Sequence, residues 1–249
     1  MRKKLIAANW KMYKTPEQAE AFIASFLPHV WEHSRDEIVL CPPFVCIPAV
    51  VEAVRDSRIA VGGQDLFWEK EGAYTGAVSA PMLKAVGCSH VIIGHSERRQ
   101  YFGETDDTVN RKLRCALAAE IVPIVCVGEV LQEREAGATE DVLRRQCSVA
   151  FREISGSQAI PIVVAYEPVW AIGTGKTATP EMAVEAHQVI RKEAANAFGE
   201  GVATQLRILY GGSVKPENAK ALMSQTEIDG ALVGGASLDP KSFAAIVKW

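Results

Sequence analysis

The chain alternates between short, almost wholly apolar runs and longer stretches with apolar positions every three or four residues. The runs are Leu5–Asn9, Ile38–Cys41, Ile59–Gly63, His90–Ile93, Ile121–Val127, Ile162–Ala165, Arg207–Tyr210 and Gly230–Val233. None shows polar alternation, so each reads as a strand covered on both faces, which is the habit of a parallel sheet. The stretches between them read as helices with clear starts. Thr15-Pro16-Glu17-Gln18 combines a cap, a first-turn proline and a capping-box glutamine; Thr179-Pro180 and Asp239-Pro240 repeat the cap-and-proline device. Asp106 and Asp107 precede a helix running past Leu113 and Leu117, and Ala183, Val184, His187, Ile190, Ala194 and Ala197 form one helical stripe.

Eight βα units with no Pro/Ser-rich linker predict a single α/β domain over 1–249. No run looks like a guarded edge, which favours closure into a (β/α)8 barrel over an open sheet. Closure would collect the carboxyl ends of all strands on one face, where function sits in such barrels. Polar and glycine residues do gather there: Asn9 and Lys11 after the first run, Gly94-His95-Ser96-Glu97 after the fourth, Gly128-Glu129 after the fifth. Glu167 follows the sixth, Gly211-Gly212-Ser213 the seventh and Gly234-Gly235 the eighth. Turn formation explains the glycines; it does not explain Lys, His and Glu recurring at the same positions.

Composition narrows the function classes. With 48% hydrophobic residues in 249, the chain has material for a large core; a net charge of −3, with both signs interspersed, gives no footing for nucleic acid. The basic N-terminus is followed by an apolar run too short for a secretory leader, and no run approaches a membrane span. Six cysteines without C-x-x-C spacing read as buried thiols of a cytoplasmic protein. His29 and His33 could share a helix face but have no third ligand nearby, so no metal is expected.

The stretch Ala165 to Thr179 carries the most chemistry. Glu167 stands where a buried strand ends, Pro168 biases it toward extended backbone, and an apolar segment (Trp170, Ala171, Ile172) is punctuated by Gly173 and Gly175. A carboxylate followed by a loop with an oily underside suits a base beneath a lid. Two nucleotide-site readings fail on spacing. The first glycine of a phosphate loop ending in Gly175-Lys176-Thr177 would fall on Trp170, and the dinucleotide-like Gly173-x-Gly175-x-x-Ala178 lies before its helix instead of within the start of it.

Taken together, Asn9-Trp10-Lys11-Met12, Gly94-His95-Ser96-Glu97-Arg98-Arg99, Tyr166-Glu167-Pro168-Val169-Trp170-Ala171-Ile172-Gly173-Thr174-Gly175, Tyr210-Gly211-Gly212-Ser213-Val214 and Val233-Gly234-Gly235-Ala236-Ser237-Leu238 resemble the triosephosphate isomerase family along the whole chain. The resemblance implies a closed barrel, a homodimer, and cofactor-free interconversion of dihydroxyacetone phosphate and D-glyceraldehyde 3-phosphate, a step of glycolysis and gluconeogenesis. It implies Glu167 as base, made more basic by desolvation, and His95 as a neutral donor that moves protons between oxygens. Lys11 supplies charge to the oxyanion and phosphate, and Asn9 a neutral donor. Amides around Gly173, Ser213, Gly234 and Gly235 would cradle the phosphate.

Further roles follow from the same resemblance. Pro168-Val169-Trp170 and Lys176-Thr177-Ala178 correspond to lid hinges, Glu97 to a residue supporting Lys11, and Cys126 to a buried cysteine behind the base. The loop 64–77 corresponds to a segment inserting into the partner, with Thr75 reaching toward the partner's site. Tyr13 departs from the asparagine many members carry, beside that contact, and Arg98 with Glu104 reads as an internal ion pair. Two alternatives stay open at this level: an epimerase acting on a longer sugar phosphate, and a silent phosphometabolite-binding barrel.

Overall fold

A computed structural model describes residues 2–172 and 177–249. Eight strands, β1 (Leu5–Asn9), β2 (Glu37–Cys41), β3 (Ala60–Gly63), β4 (His90–Ile93), β5 (Val122–Val127), β6 (Val163–Tyr166), β7 (Arg207–Tyr210) and β8 (Gly230–Val233), pair in sequence order into a closed barrel. Every pairing is parallel, and Leu5 sits opposite Glu37 on one side and Gly230 on the other, which closes the ring. All eight expected strands are present, four with the expected bounds and four differing by one residue at one or both ends.

Alternation along each strand sorts side chains into two cores. Leu5, Ala7, Val39, Cys41, Ile92, Ile124, Cys126, Val163, Ala165, Leu209 and Leu232 fill the lumen. The intervening residues, among them Ile6, Ala8, Leu40, Val91, Val125 and Ile208, face outward against the helices. The floor of the barrel departs from the apolar expectation. Glu37, which extends β2 by one residue, meets His90 at 3.2 Å and Arg207 at 2.5 Å across the strand starts. The His90 hydrogen bond, with Arg207 against the penalty of burial, holds the Glu37 carboxyl down at about 2. Inward charges of this kind, and Pro123 within β5, would mark an edge in an open sheet; here the charges neutralise one another and no edge exists.

The helix starts obey their caps. Thr15 and Gln18 bond reciprocally before Pro16–Val30, Thr179 receives the Met182 N–H, and Asp239 the Ser242 N–H. For Asp106–Ala118 the cap is Thr105, paired with Thr108; the two aspartates occupy the first turn, where the helix dipole favours them. His33 lies beyond the helix that carries His29 and turns to Asp36 at 3.5 Å, so the two histidines share no face. All six cysteines are free. Among the described residues no helix is long and apolar enough to cross a membrane.

Arg98 does approach Glu104, at 3.4 Å, within a larger network. Arg98 also reaches Asp65 at 2.8 Å, while buried Lys112 contacts Asp65 at 2.6 Å and Glu104 at 2.5 Å.

His187 is buried in the helix Pro180–Phe198, its Nδ1 against the Glu227 carbonyl at 2.9 Å. Burial is the main cause that pushes its pKa down, to about 4 from 6.5. The unfolded chain therefore takes up a proton that the folded one refuses until about pH 4. Stability from this group is complete above about pH 6.5 and is lost as the pH falls toward 4, by about 3 kcal/mol in all. Urea unfolding at pH 7 and 4.5 should show a smaller acid-side loss in His187→Gln than in the parent; equal losses would refute the assignment.

Candidate active site

The site is assembled at the rim where the strands end. β1 delivers Asn9, and the chain then turns sharply: Lys11 holds φ of 53°, in the left-handed region. Two contacts stabilise that conformation. The Asn9 carboxamide accepts the Lys11 N–H at 3.0 Å, and the Gln64 side chain donates to the carbonyls of Lys11 and Cys41 at 2.8 and 2.9 Å. The Lys11 ammonium meets Glu97 Oε1 at 2.5 Å, as the expected support of Lys11 by Glu97 requires.

His95 caps the helix Ser96–Phe102, its Nδ1 accepting the Glu97 N–H at 3.2 Å. A ring nitrogen that accepts an amide proton carries none itself, so the ring proton sits on Nε2. Nε2 faces Glu167 Oε1 at 2.9 Å, and the other carboxylate oxygen accepts the Ser96 N–H at 2.9 Å. Both side chains are buried.

Desolvation pushes the Glu167 pKa up, but the partners His95, Ser96 and Lys11 outweigh it, and the carboxyl lies below its ordinary value. Burial pushes His95 down, and the charge and hydrogen bond of Glu167 more than reverse this. The expected gain in basicity is therefore absent in this arrangement. Gaining it requires the carboxylate to leave Ser96 and His95 for an apolar setting.

Asn9, Lys11, His95, Glu167, Ser213, Gly234 and Gly235 line one cavity of about 320 Å³, with Ile172 and Leu232 as apolar walls. Gly173 and Lys176 lie outside the described residues. Two glycines lie close to the site side chains, Gly211 so close that a side chain would force a shift. A Cβ on Gly211 would stand 2.9 Å from Glu167 Cγ, and one on Gly234 3.3 Å from Lys11 Cε. Cys126 is buried in the lumen, where burial and the nearby Glu167 carboxylate push its thiol pKa well up.

At the segment expected to form the first hinge, Pro168 (φ −66°) leads into a 3-10 turn over Val169–Ala171. Of the segment expected to form the second, Thr177 is exposed and Ala178 buried. Thr75 is exposed on the loop 64–77, away from this chain's cavity; that loop is ordered by Phe67 against Trp68 and Tyr74, at 4.1 and 4.6 Å. Tyr13 lines the cavity mouth, so its side chain bears on the site as well as on the surface beside it.

Two contributors escaped the sequence reading. Glu129 is fully buried and its Oε1 accepts from Tyr166 Oη at 3.1 Å and Trp170 Nε1 at 2.9 Å; its carbonyl accepts the Val169 N–H at 3.1 Å. It thus ties β6, Val169 and Trp170 to the end of β5. Its position after the fifth run was visible, its partners were not. Gln64 carried no signal beyond opening an aperiodic loop.

A carboxylate paired with an imidazole beside a lysine, at a rim lined by glycines, suits proton transfer on a small anionic substrate. Comparison with known families matches residues 4–249 to Triosephosphate isomerase. The chain is 58% identical to the triosephosphate isomerase of Solibacter usitatus (strain Ellin6076) over 249 residues, covering all of both chains. It is 58% identical to that of Moorella thermoacetica (strain ATCC 39073 / JCM 9320) over all of this chain and 99% of the relative. Against that of Citrifermentans bemidjiense (strain ATCC BAA-1014 / DSM 16622 / JCM 12645 / Bem) the identity is 55%, again over all of this chain and 99% of the relative. Motifs at five strand ends, an eight-stranded closed barrel and matches from end to end agree, and the chain belongs to the triosephosphate isomerase family.

Proposed function

We infer that this chain interconverts dihydroxyacetone phosphate and D-glyceraldehyde 3-phosphate without a cofactor, with Glu167 and His95 as the proton-handling pair. The reading rests on Glu167 Oε1 and His95 Nε2 meeting 2.9 Å apart at the wall of the cavity shared with Lys11, Ser213 and Gly234-Gly235. The substrate phosphate takes the amides at Ser213, Gly234 and Gly235, with that of Gly173 as a further donor. Glu167 turns from Ser96 toward the substrate, against Ile172 and Leu232, where its carboxylate loses stabilising partners and gains basicity.

Glu167 then removes a proton from the hydroxymethyl carbon, and the electron pair moves into an enediolate. The His95 Nε2–H donates to the developing oxyanion and relays a proton between the two oxygens; Lys11 and Asn9 stabilise the charge. Return of the proton to the adjacent carbon completes the isomerisation. The carboxylate ends as it began, ionised. Closure over the cavity keeps water from the enediolate, which otherwise expels phosphate. A cytoplasmic setting and a place in glycolysis and gluconeogenesis complete this reading.

The same reading includes a homodimer through the loop 64–77. Phe67 and Trp68 of this loop line a hollow of about 290 Å³ with Phe44 and Phe102, and Met12, Tyr13, Val45 and Tyr74 are also exposed. Fully or partly exposed apolar side chains on this scale, three of them on the loop itself, favour a protein partner. The charged Arg98, Glu104 and Lys112 line the same hollow.

In a coupled assay, Glu167→Gln should lose about 10³-fold in kcat while inorganic phosphate still competes with substrate as in the parent. Parental turnover in the variant would remove Glu167 as base. In sedimentation equilibrium the particle should weigh twice the 27.0 kDa of one chain. A single-chain mass at every concentration would rule out the dimer.

A further inference from the structure

The distance between His95 and Glu167 depends on how the ends of β4, β5 and β6 are held together. β5 and β6 hold each other directly: the Glu167 N–H donates to the Val127 carbonyl at 2.7 Å. Gly128 then packs against the Glu167 backbone so closely that a Cβ there would fall 1.8 Å from the Glu167 carbonyl oxygen. Gln146 grips Gly128 from outside, accepting its N–H at 2.7 Å and donating to its carbonyl at 3.2 Å. The base side is thus tied to β5.

The His95 side has no such tie from the sheet. The β4–β5 register ends at Ile93 opposite Val125, and Gly94, with φ of 74°, turns the chain out of the ladder one residue before His95. Along β5 successive carbonyls face opposite neighbours; Val127 faces β6, so Cys126 faces the place β4 has left. Arg99 fills that place. Its Nε donates to the Gly94 carbonyl at 2.8 Å, its Nη2 to the Cys126 carbonyl at 3.3 Å, and its Nη1 to Asp106 at 2.5 Å. One rigid guanidinium spans the gap between the strand that presents the imidazole and the strand that backs the base.

Resting on the proton-transfer reading above, we propose that Arg99 is a positioning residue of the reaction: it replaces the missing β4–β5 ladder rung and holds His95 at its working distance from Glu167. Arg99 does not line the substrate cavity, so its influence passes through Gly94 and His95. The need is for donors on three separate nitrogens held in one plane, whereas a lysine ammonium carries its donors on a single nitrogen. A positive charge alone is therefore insufficient.

The test is a double-mutant cycle with Arg99→Met, His95→Gln and the pair together, read by kcat, KM, phosphate inhibition and thermal unfolding. Arg99→Met should lose about 10- to 100-fold in kcat, with KM and the phosphate inhibition constant within about twofold of the parent. The double variant should be no more than about threefold slower than His95→Gln alone, because the same contribution cannot be removed twice. Arg99→Lys should remain impaired, and guanidinium ion should restore part of the activity of Arg99→Ala.

Fully additive losses in the cycle would overturn the proposal, as would a parental kcat in Arg99→Met. Lost activity that only tracks lost folded protein would also overturn it. If Arg99→Met fails to fold, Arg99→Lys paired with His95→Gln carries the same cycle. Parental turnover in His95→Gln would instead reject the proton-relay reading, while the kcat of the single Arg99 variants would still report on Arg99.

Discussion

Closure of the parallel ladder is the constraint on which the rest of this molecule depends. Pairing β8 with β1 satisfies the backbone groups that a sheet edge would leave open. It also points all eight strands the same way, so every carboxyl end arrives at one rim. Asn9, His95, Glu167, Ser213 and Gly234 are spread across the length of the chain, and only this geometry brings them to one cavity. The lumen below is plugged by aliphatic side chains, which leaves the rim as the place for a small polar ligand.

The rim is expensive to build. Glu167 and Glu129 are buried carboxylates, and leaving such a charge unpartnered costs about 3–5 kcal/mol. Each is held by groups that do further work. His95 and the Ser96 amide stabilise Glu167, and in the proposed reaction the strength of that hold sets what a turn of the carboxylate away from them gives up. Glu129 is held through its Oε1 by Tyr166 and Trp170, with Arg134 at 3.8 Å, so the segment it fixes also stabilises it. The strained backbone of Lys11 is held by Asn9 and Gln64 in the same economical way.

Much of this was legible in the residues. Apolar runs without alternation meant strands buried on both faces, and chemistry-bearing side chains recurring just beyond those runs placed the site. Hidden features share one property: they depend on contacts between segments distant along the chain. Glu37, His90 and Arg207 come from three separate strands, and only alternation within a closed ring turns all three inward. Lys112 lies on an amphipathic helix and reads as surface until Asp65 and Glu104 are found on either side of it.

The chain by itself determined the eight βα units and the candidate site residues at their carboxyl ends, because those follow from local periodicity and from residue types at strand ends. Tertiary structure decided the electrostatics. Whether Glu167 is a strong or a weak base turns on which of Ser96, His95 and the apolar wall it faces, and all of these but Ile172 lie tens of residues away. Burial and charge pull its proton in opposite directions, and their balance is a property of distances in space. No stretch of sequence contains those distances.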